Sequence, residues 1–204
     1  MKYGDIKREV LSHINQYSMR GAQVPLSYNC QEDYENRIPH LINEALVNIR
    51  TLVKKLPRVF TPENGERVGD LIRYDLPKDF YALKTGGIAK VEDGKFRSTN
   101  QYRIQGRRFL LLPSDAAGQY SVEYYAYPVQ LPLNCPDDLE IEEDLEVIQT
   151  ATYYAAAALV RLEDEFAYST LYNDYESRLE RISSGVAIEV APVEDVYGLA
   201  GGYV

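Results

Sequence analysis

The sequence predicts an α+β fold, mainly α: a helical bundle with an inserted small antiparallel β-domain and extended terminal arms. Three observations predict it. Apolar residues recur every three or four positions towards both ends of the chain. Between about Tyr74 and Tyr127 the pattern shifts towards period two, with Gly and Pro punctuation. The 204 residues, 45% apolar and 26% charged, suit one domain carrying a sizeable insertion. The expected division is an N-terminal arm and bundle helices over 1–73, an inserted β-domain over 74–130, C-terminal bundle helices over 131–184 and an extended arm over 185–204.

Each element has its own signal. Tyr3, Ile6, Val10, Ile14 and Tyr17 describe one face of a short helix. "RGAQVPLSYNC" reads as a loop. Tyr34, Ile38, Leu41, Ala45, Ile49 and Leu52 then mark a longer amphipathic helix, with Asn29 and Glu32 spaced as a capping box. Pro39 predicts either a kink in that helix or its true start near residue 38. Lys54 and Lys55 suit the last turn, and Pro57 ends the helix.

In the middle, "GGIAKVEDGKFRS" carries an Asp-Gly turn between two short strands, and "QYRIQGRRFLLLP" turns at Gln105-Gly106. In "GQYSVEYYAYP", Tyr120, Val122, Tyr124 and Ala126 share one face of a strand. Several short strands at this spacing predict a small antiparallel sheet or sandwich.

Ile141, Leu145, Ile148, Thr152, Ala155, Leu159 and Leu162 form a heptad-like seam, flanked by a second seam of Val147, Ala151, Tyr154 and Ala158. From Tyr153 to Val160 the helix is apolar all round, so it must be enclosed on every side. The following seam, Tyr168, Tyr172, Tyr175, Leu179 and Ile182, is out of phase with it, which predicts a break at 163–167 and two helices. "SSG" at 183–185 ends the second. The tail "VAIEVAPVEDVYGLAGGYV" reads as an arm that adds to a neighbour as a strand.

Function classes narrow next. The net charge is −9, which argues against a basic DNA-wrapping surface. "PDDLEIEEDLE" carries seven acids and no base, as suits a solvated helix start. No run of eighteen apolar residues predicts a membrane span, and "MKYGDIKREV" lacks the apolar core of a signal peptide, so intracellular synthesis is expected. Cys30 and Cys135 are far apart with no CxxC, so a zinc site is not expected. Neither His13 nor His40 lies in an HExxH motif, and GxSxG and Walker spacings are absent. The acid pairs Asp137/Asp138 and Glu142/Glu143 are the residues a small metal-dependent hydrolase could use, but helical neighbours point apart. No catalytic, metal-binding or cofactor-binding residue is expected.

Two features point to assembly instead. Eighteen Tyr stand beside five Phe and no Trp, and Tyr suits surfaces buried on association. Lys95, Arg97, Arg103, Arg107 and Arg108, interleaved with Phe96 and Tyr102, form a basic hairpin for an acidic partner or DNA. Arg103, Arg107 and Arg108 are its candidate contacts, and the acid run at 137–146 of a neighbouring copy is one candidate acceptor.

The order of these stretches resembles the head–tail connector, or adaptor, proteins of tailed bacteriophages. It is carried by "DYENRIPHLINEALVNI", "DLPKDFYAL", "YRIQGRRFLLL", "YSVEYYAYP" and "YYAAAALVRLEDEFAYSTLYNDYESRLERI", over roughly residues 30–183. The N-terminal thirty residues and the last twenty depart from the pattern. The resemblance implies a structural virion protein that forms a ring, typically twelvefold, beneath the portal. Such a ring extends the DNA channel and receives tail or neck proteins. DNA would pass through without specific binding, with no membrane, enzyme activity or cofactor involved. It implies location at the head–tail interface of the virion after synthesis in the host bacterial cytoplasm. On this reading the apolar helix is sandwiched inside the bundle, close to the next subunit's helix. Its candidate interface residues are Tyr153, Tyr154, Ala156, Ala157 and Val160, with Tyr197 and Tyr203 of the tail. A neck or tail-completion ring is the alternative within the same class.

Overall fold

A computed structural model describes residues 1–17, 28–92, 94–114 and 118–185. Helices α1 (Tyr3–Tyr17) and α2 (Tyr28–Asn48) open the chain, and a π-helical turn (Ile49–Val53) extends α2. Strands β1 (Leu56–Phe60), β2 (Glu66–Val68), β3 (Leu71–Asp75), β4 (Phe80–Glu92), β5 (Lys95–Ser98), β6 (Arg103–Gln105), β7 (Phe109–Pro113) and β8 (Gln119–Ala126) follow. Helices α3 (Leu145–Val160) and α4 (Glu165–Gly185) close the described chain.

Among the described residues, four helices beside two four-stranded antiparallel sheets, 44% helix to 29% strand, make this a mixed α+β fold and not a mainly helical one. The sequence expectation erred because the strand signal was taken to begin near Tyr74. Strands β1 and β2 lie before that point, and their side chains are mostly exposed, so they lack an alternating apolar pattern. Pro57 does not merely end a helix. It sits in β1 opposite Tyr125, on an edge strand where a missing N–H is tolerated.

The helical core is built from the faces that the periodicity marked. Tyr3, Ile6, Val10 and Ile14 of α1, Tyr34, Ile38 and Ala45 of α2 and Ile49 of the π-helical turn are buried. They meet Val147, Ile148, Ala151 and Ala155 of α3 and Ala167, Leu171 and Tyr175 of α4 in one cluster. Helix α2 runs through Pro39 and includes Asn29, so the Asn29/Glu32 capping box is not its start. Leu52 breaks the expected seam. The Lys54 N–H reaches the Ile49 carbonyl at 2.9 Å, an i→i+5 bond that adds one residue to the turn. The register slips, Leu52 swings out to 76% exposure, and Arg50 is buried at 3% in its place.

Strands order as β1-β8-β4-β5 in one sheet and β2-β3-β7-β6 in the other. Their inner faces share a second core: Ile88, Tyr120, Val122, Tyr124 and Ala126 from the first meet Leu110 and Leu112 from the second. The face read from "YSVEYYA" is the buried one. Gly87 sits at the irregularity between Leu83 and Ile88 of β4, where an added Cβ would lie 2.4 Å from the Glu123 carbonyl oxygen. The Asp-Gly turn expected between β4 and β5 includes Asp93, which lies outside the described residues.

The β-unit leaves and rejoins the bundle at one point. Leu56, its first strand residue, pairs with Ala126, its last. The unit therefore spans 56–126, and the chain enters and leaves it on adjacent, paired strands of the first sheet. A clamp fixes the exit. The Asn43 side chain donates to the Leu131 carbonyl at 2.9 Å and accepts the Leu131 N–H at 2.7 Å.

Candidate functional site

The basic side chains picked from the sequence are divided between the sheets: Lys95 and Arg97 lie on β5 of the first, whereas Arg103 lies on the outer face of the second with Arg107 and Arg108 in the turn that follows it. Register places Glu66, Arg73, Leu111 and Arg103 in one row and Asp75, Phe109 and Gln105 in the next. Both rows face away from the β-core, because Leu110 and Leu112 occupy the opposite face. The guanidinium of Arg73 stands 4.7 Å from the Phe109 ring centroid and that of Arg108 5.2 Å.

A two-residue turn presents the tip. Gly106 and Arg107 both have positive φ, 60° and 55°, and the Arg108 N–H closes on the Gln105 carbonyl at 3.1 Å. This is the primed hairpin geometry that matches strand twist. It aims Arg107 at two tyrosines, donating to the Tyr127 hydroxyl at 3.3 Å and lying 5.8 Å from the Tyr81 ring.

Arg73 is matched by Glu66 at 2.5 Å. Arg103, Arg107 and Arg108 make no ion pair among the described residues. Three exposed guanidinium forks, those of Arg107 and Arg108 beside aromatic rings, can bind carboxylates or phosphates with two hydrogen bonds each. Arg73 was not picked out from sequence. It lies thirty residues upstream of Arg103, and the alternation in "LIRYD" was the signal for its outward face.

The apolar helix is sandwiched inside the bundle, as its sequence predicts. Ala155, Ala156 and Ala157 are buried, and Val160 nearly so, because α1, α2 and α4 of the same chain pack around α3. The chain encloses its own alanine stretch, so Ala156, Ala157 and Val160 offer no free surface. Tyr153 and Tyr154 are half-buried and engaged. The Tyr153 ring lies 4.0 Å from His13 and 4.3 Å from the Arg178 guanidinium, which donates to its hydroxyl at 3.2 Å. Tyr154 packs on Tyr175 at 5.2 Å. Burial and then the Glu44 carboxylate push the Tyr154 hydroxyl far above the usual phenol range, and burial lifts Tyr175 to about 12. Tyr197 and Tyr203, with the whole tail arm, lie outside the described residues.

The break between the last two helices falls at 161–164, two residues earlier than expected, and the Asp164 carboxylate caps α4 by accepting the Ala167 N–H at 2.9 Å. This turn carries exposed apolar side chains, Leu162 at 95% and Phe166 at 78%.

Much of the acid run is consumed within the chain. Lys7 holds Asp137 at 2.9 Å. Buried Arg50 donates from Nε to Glu143 at 3.2 Å and from Nη2 to both Glu143 and Asp144, the latter at 2.9 Å. Lys54 adds to Asp144 at 3.0 Å, and Arg181 lies 3.6 Å from Glu146. These cations, Lys54 first, hold the Asp144 carboxyl below its usual range. Among the described residues no group of three or more His, Cys, Asp or Glu side chains is placed to hold a metal ion. No described helix is long and apolar enough to cross a membrane. Compared with known protein families and with curated proteins, the chain matches none.

Proposed function

We propose that this protein is a structural head–tail connector of a tailed bacteriophage: an adaptor that assembles as a ring beneath the portal, extends the DNA channel and receives the tail. The observation that carries the reading is the insertion topology. A β-unit with its own core is inserted between helices that share one bundle core, and from α2 to α4 that order follows the stretches that carry the resemblance over residues 30–183. A module with its own core can contact one neighbour in a stacked assembly while the bundle contacts another.

Surface chemistry supports the same reading. The β-module presents three unpaired arginines to an acidic partner, and the α3–α4 turn presents Leu162 and Phe166 for burial on assembly. The chain's net charge of −9 suits a channel along which DNA slides without sticking.

Gradient sedimentation of the protein mixed with the portal encoded by the same genome tests the proposal. Co-sedimentation at the position of a ring on a portal is expected. Protein that stays at the monomer position in the presence of the portal contradicts it.

A further inference from the structure

A cleft of about 230 Å³ lies at the seam between the bundle and the β-unit. Its apolar lining is Leu46, Val129, Leu131, Leu139 and Ile141. Val129 is 76% exposed beside it, although Leu46 and Leu131 belong to the core.

One wall is an incomplete strand. Residues 139–141 run antiparallel to the N-terminus, with Lys2 bridged to Glu140. The Tyr3 N–H donates to the Leu139 carbonyl, and the Ile141 N–H to the Met1 carbonyl, both at 2.9 Å. Those bonds use the edge facing the N-terminus. The N–H and C=O groups of Glu140 and Glu142 lie along the opposite edge, since alternate residues of a strand share an edge. Among the described residues neither Glu140 nor Glu142 has a backbone hydrogen-bond partner. Both residues line the cleft.

The rim is acidic. Glu140 and Glu142 are exposed and in no ion pair among the described residues. The other charges there are already matched: Arg58 by Asp79 at 2.7 Å, and Glu143 by Arg50. We infer that this cleft is a docking slot for an extended segment of a partner protein in which apolar and basic residues alternate, added as a strand to the edge at Glu140 and Glu142.

Cross-strand pairing dictates that alternation. Residues opposite one another share a face, so basic side chains would stand across from Glu140 and Glu142 and apolar ones across from Leu139 and Ile141. The chain's own C-terminal stretch does not fit. Residues 186–204 contain Glu189, Glu194 and Asp195 and no Lys or Arg, so like charges would meet at the rim. The inference does not depend on the connector reading, and any partner bearing such a segment would satisfy it.

Fluorescence anisotropy with a labelled octapeptide alternating Val and Lys tests it on the full chain. Saturable binding is expected, with the Val-Glu counterpart weaker by about tenfold or more. The double change Glu140→Lys, Glu142→Lys removes that preference. Glu176→Lys with Glu180→Lys, which alters the net charge equally on the exposed face of α4, leaves it intact. N-methylation of alternate peptide residues abolishes binding if backbone pairing holds the segment. No saturable binding overturns the inference. So does equal binding of both peptides, equal loss in the two double variants, or full binding by the N-methylated peptide.

Discussion

Arg107 shows how a single residue separates stability from contact. Its φ of 55° is a conformation that L side chains enter at a cost of about 1–2 kcal/mol, and its side chain is exposed. Arg107→Gly removes that cost but adds about 0.4–1 kcal/mol of unfolded-state freedom. Folded stability should therefore change by less than about 1 kcal/mol, while affinity for an acidic partner falls; thermal melts alongside portal pull-downs read the two effects apart. His13 gives a second test at this scale. Burial first, and Arg178 second, hold its pKa below the usual imidazole value of 6.5, against the opposing charge of Asp174. A histidine kept neutral by folding contributes stability above pH 6.5 that is lost as the pH falls below it. Glu9, also facing the ring, is held above its usual range by burial and acts in the opposite sense. His13→Gln isolates the histidine: its unfolding free energy should fall less between pH 7.5 and 5.5 than that of the natural chain. An equal fall in both would show that His13 does not contribute.

At the scale of elements, the π-turn after α2 organises the join between bundle and β-unit. It turns Arg50 inwards, where Glu143, Asp144 and the Lys54 carbonyl take up its donors. Arg50→Ala leaves the Glu143 carboxylate, 8% exposed, without its partner. A loss of about 3–5 kcal/mol is expected on chemical denaturation, and a loss under about 1 kcal/mol would mean that solvent replaces the arginine. This element also shows where sequence reading stops. The seams of α1 and α4 and the middle of the α3 seam were legible because a helix repeats its burial every 3.6 residues, whereas Leu145 and Leu162, expected in the α3 seam, are 59% and 95% exposed. One added residue in a turn leaves no composition signal, so Leu52 was placed inside and Arg50 was not noticed. Strand β1 was hidden for another reason: "LPRVF" sits on a sheet edge with three exposed side chains in its centre, so nothing alternates. The arginines of the β6–β7 hairpin were legible because they are close in sequence, whereas Arg73 joins them only through sheet register. That α3 must be enclosed inside the bundle could be read from its alanines; which helices pack on which could not, because periodicity does not reveal it.

Across the whole molecule, two separate cores, with an Asn43–Leu131 clamp where the chain returns to the bundle, imply divisible folding. Leu56 and Ala126 are paired, and paired strand residues lie about 5 Å apart between Cα atoms. Replacing residues 56–126 with four Gly/Ser residues should leave a folded helical bundle, seen as retained helical circular dichroism and a cooperative melt. Collapse of the helical signal would mean that the bundle requires the β-unit. On the proposed connector reading the same division would give separate tasks, with the arginines on the β-unit and the exposed Leu162 and Phe166 on the bundle. The most direct test of the connector account is electron microscopy of the protein mixed with the portal encoded by the same genome. The account predicts a ring of this protein seated on the narrow end of the portal, continuing its channel. Portals that remain bare beside monomeric protein would contradict it.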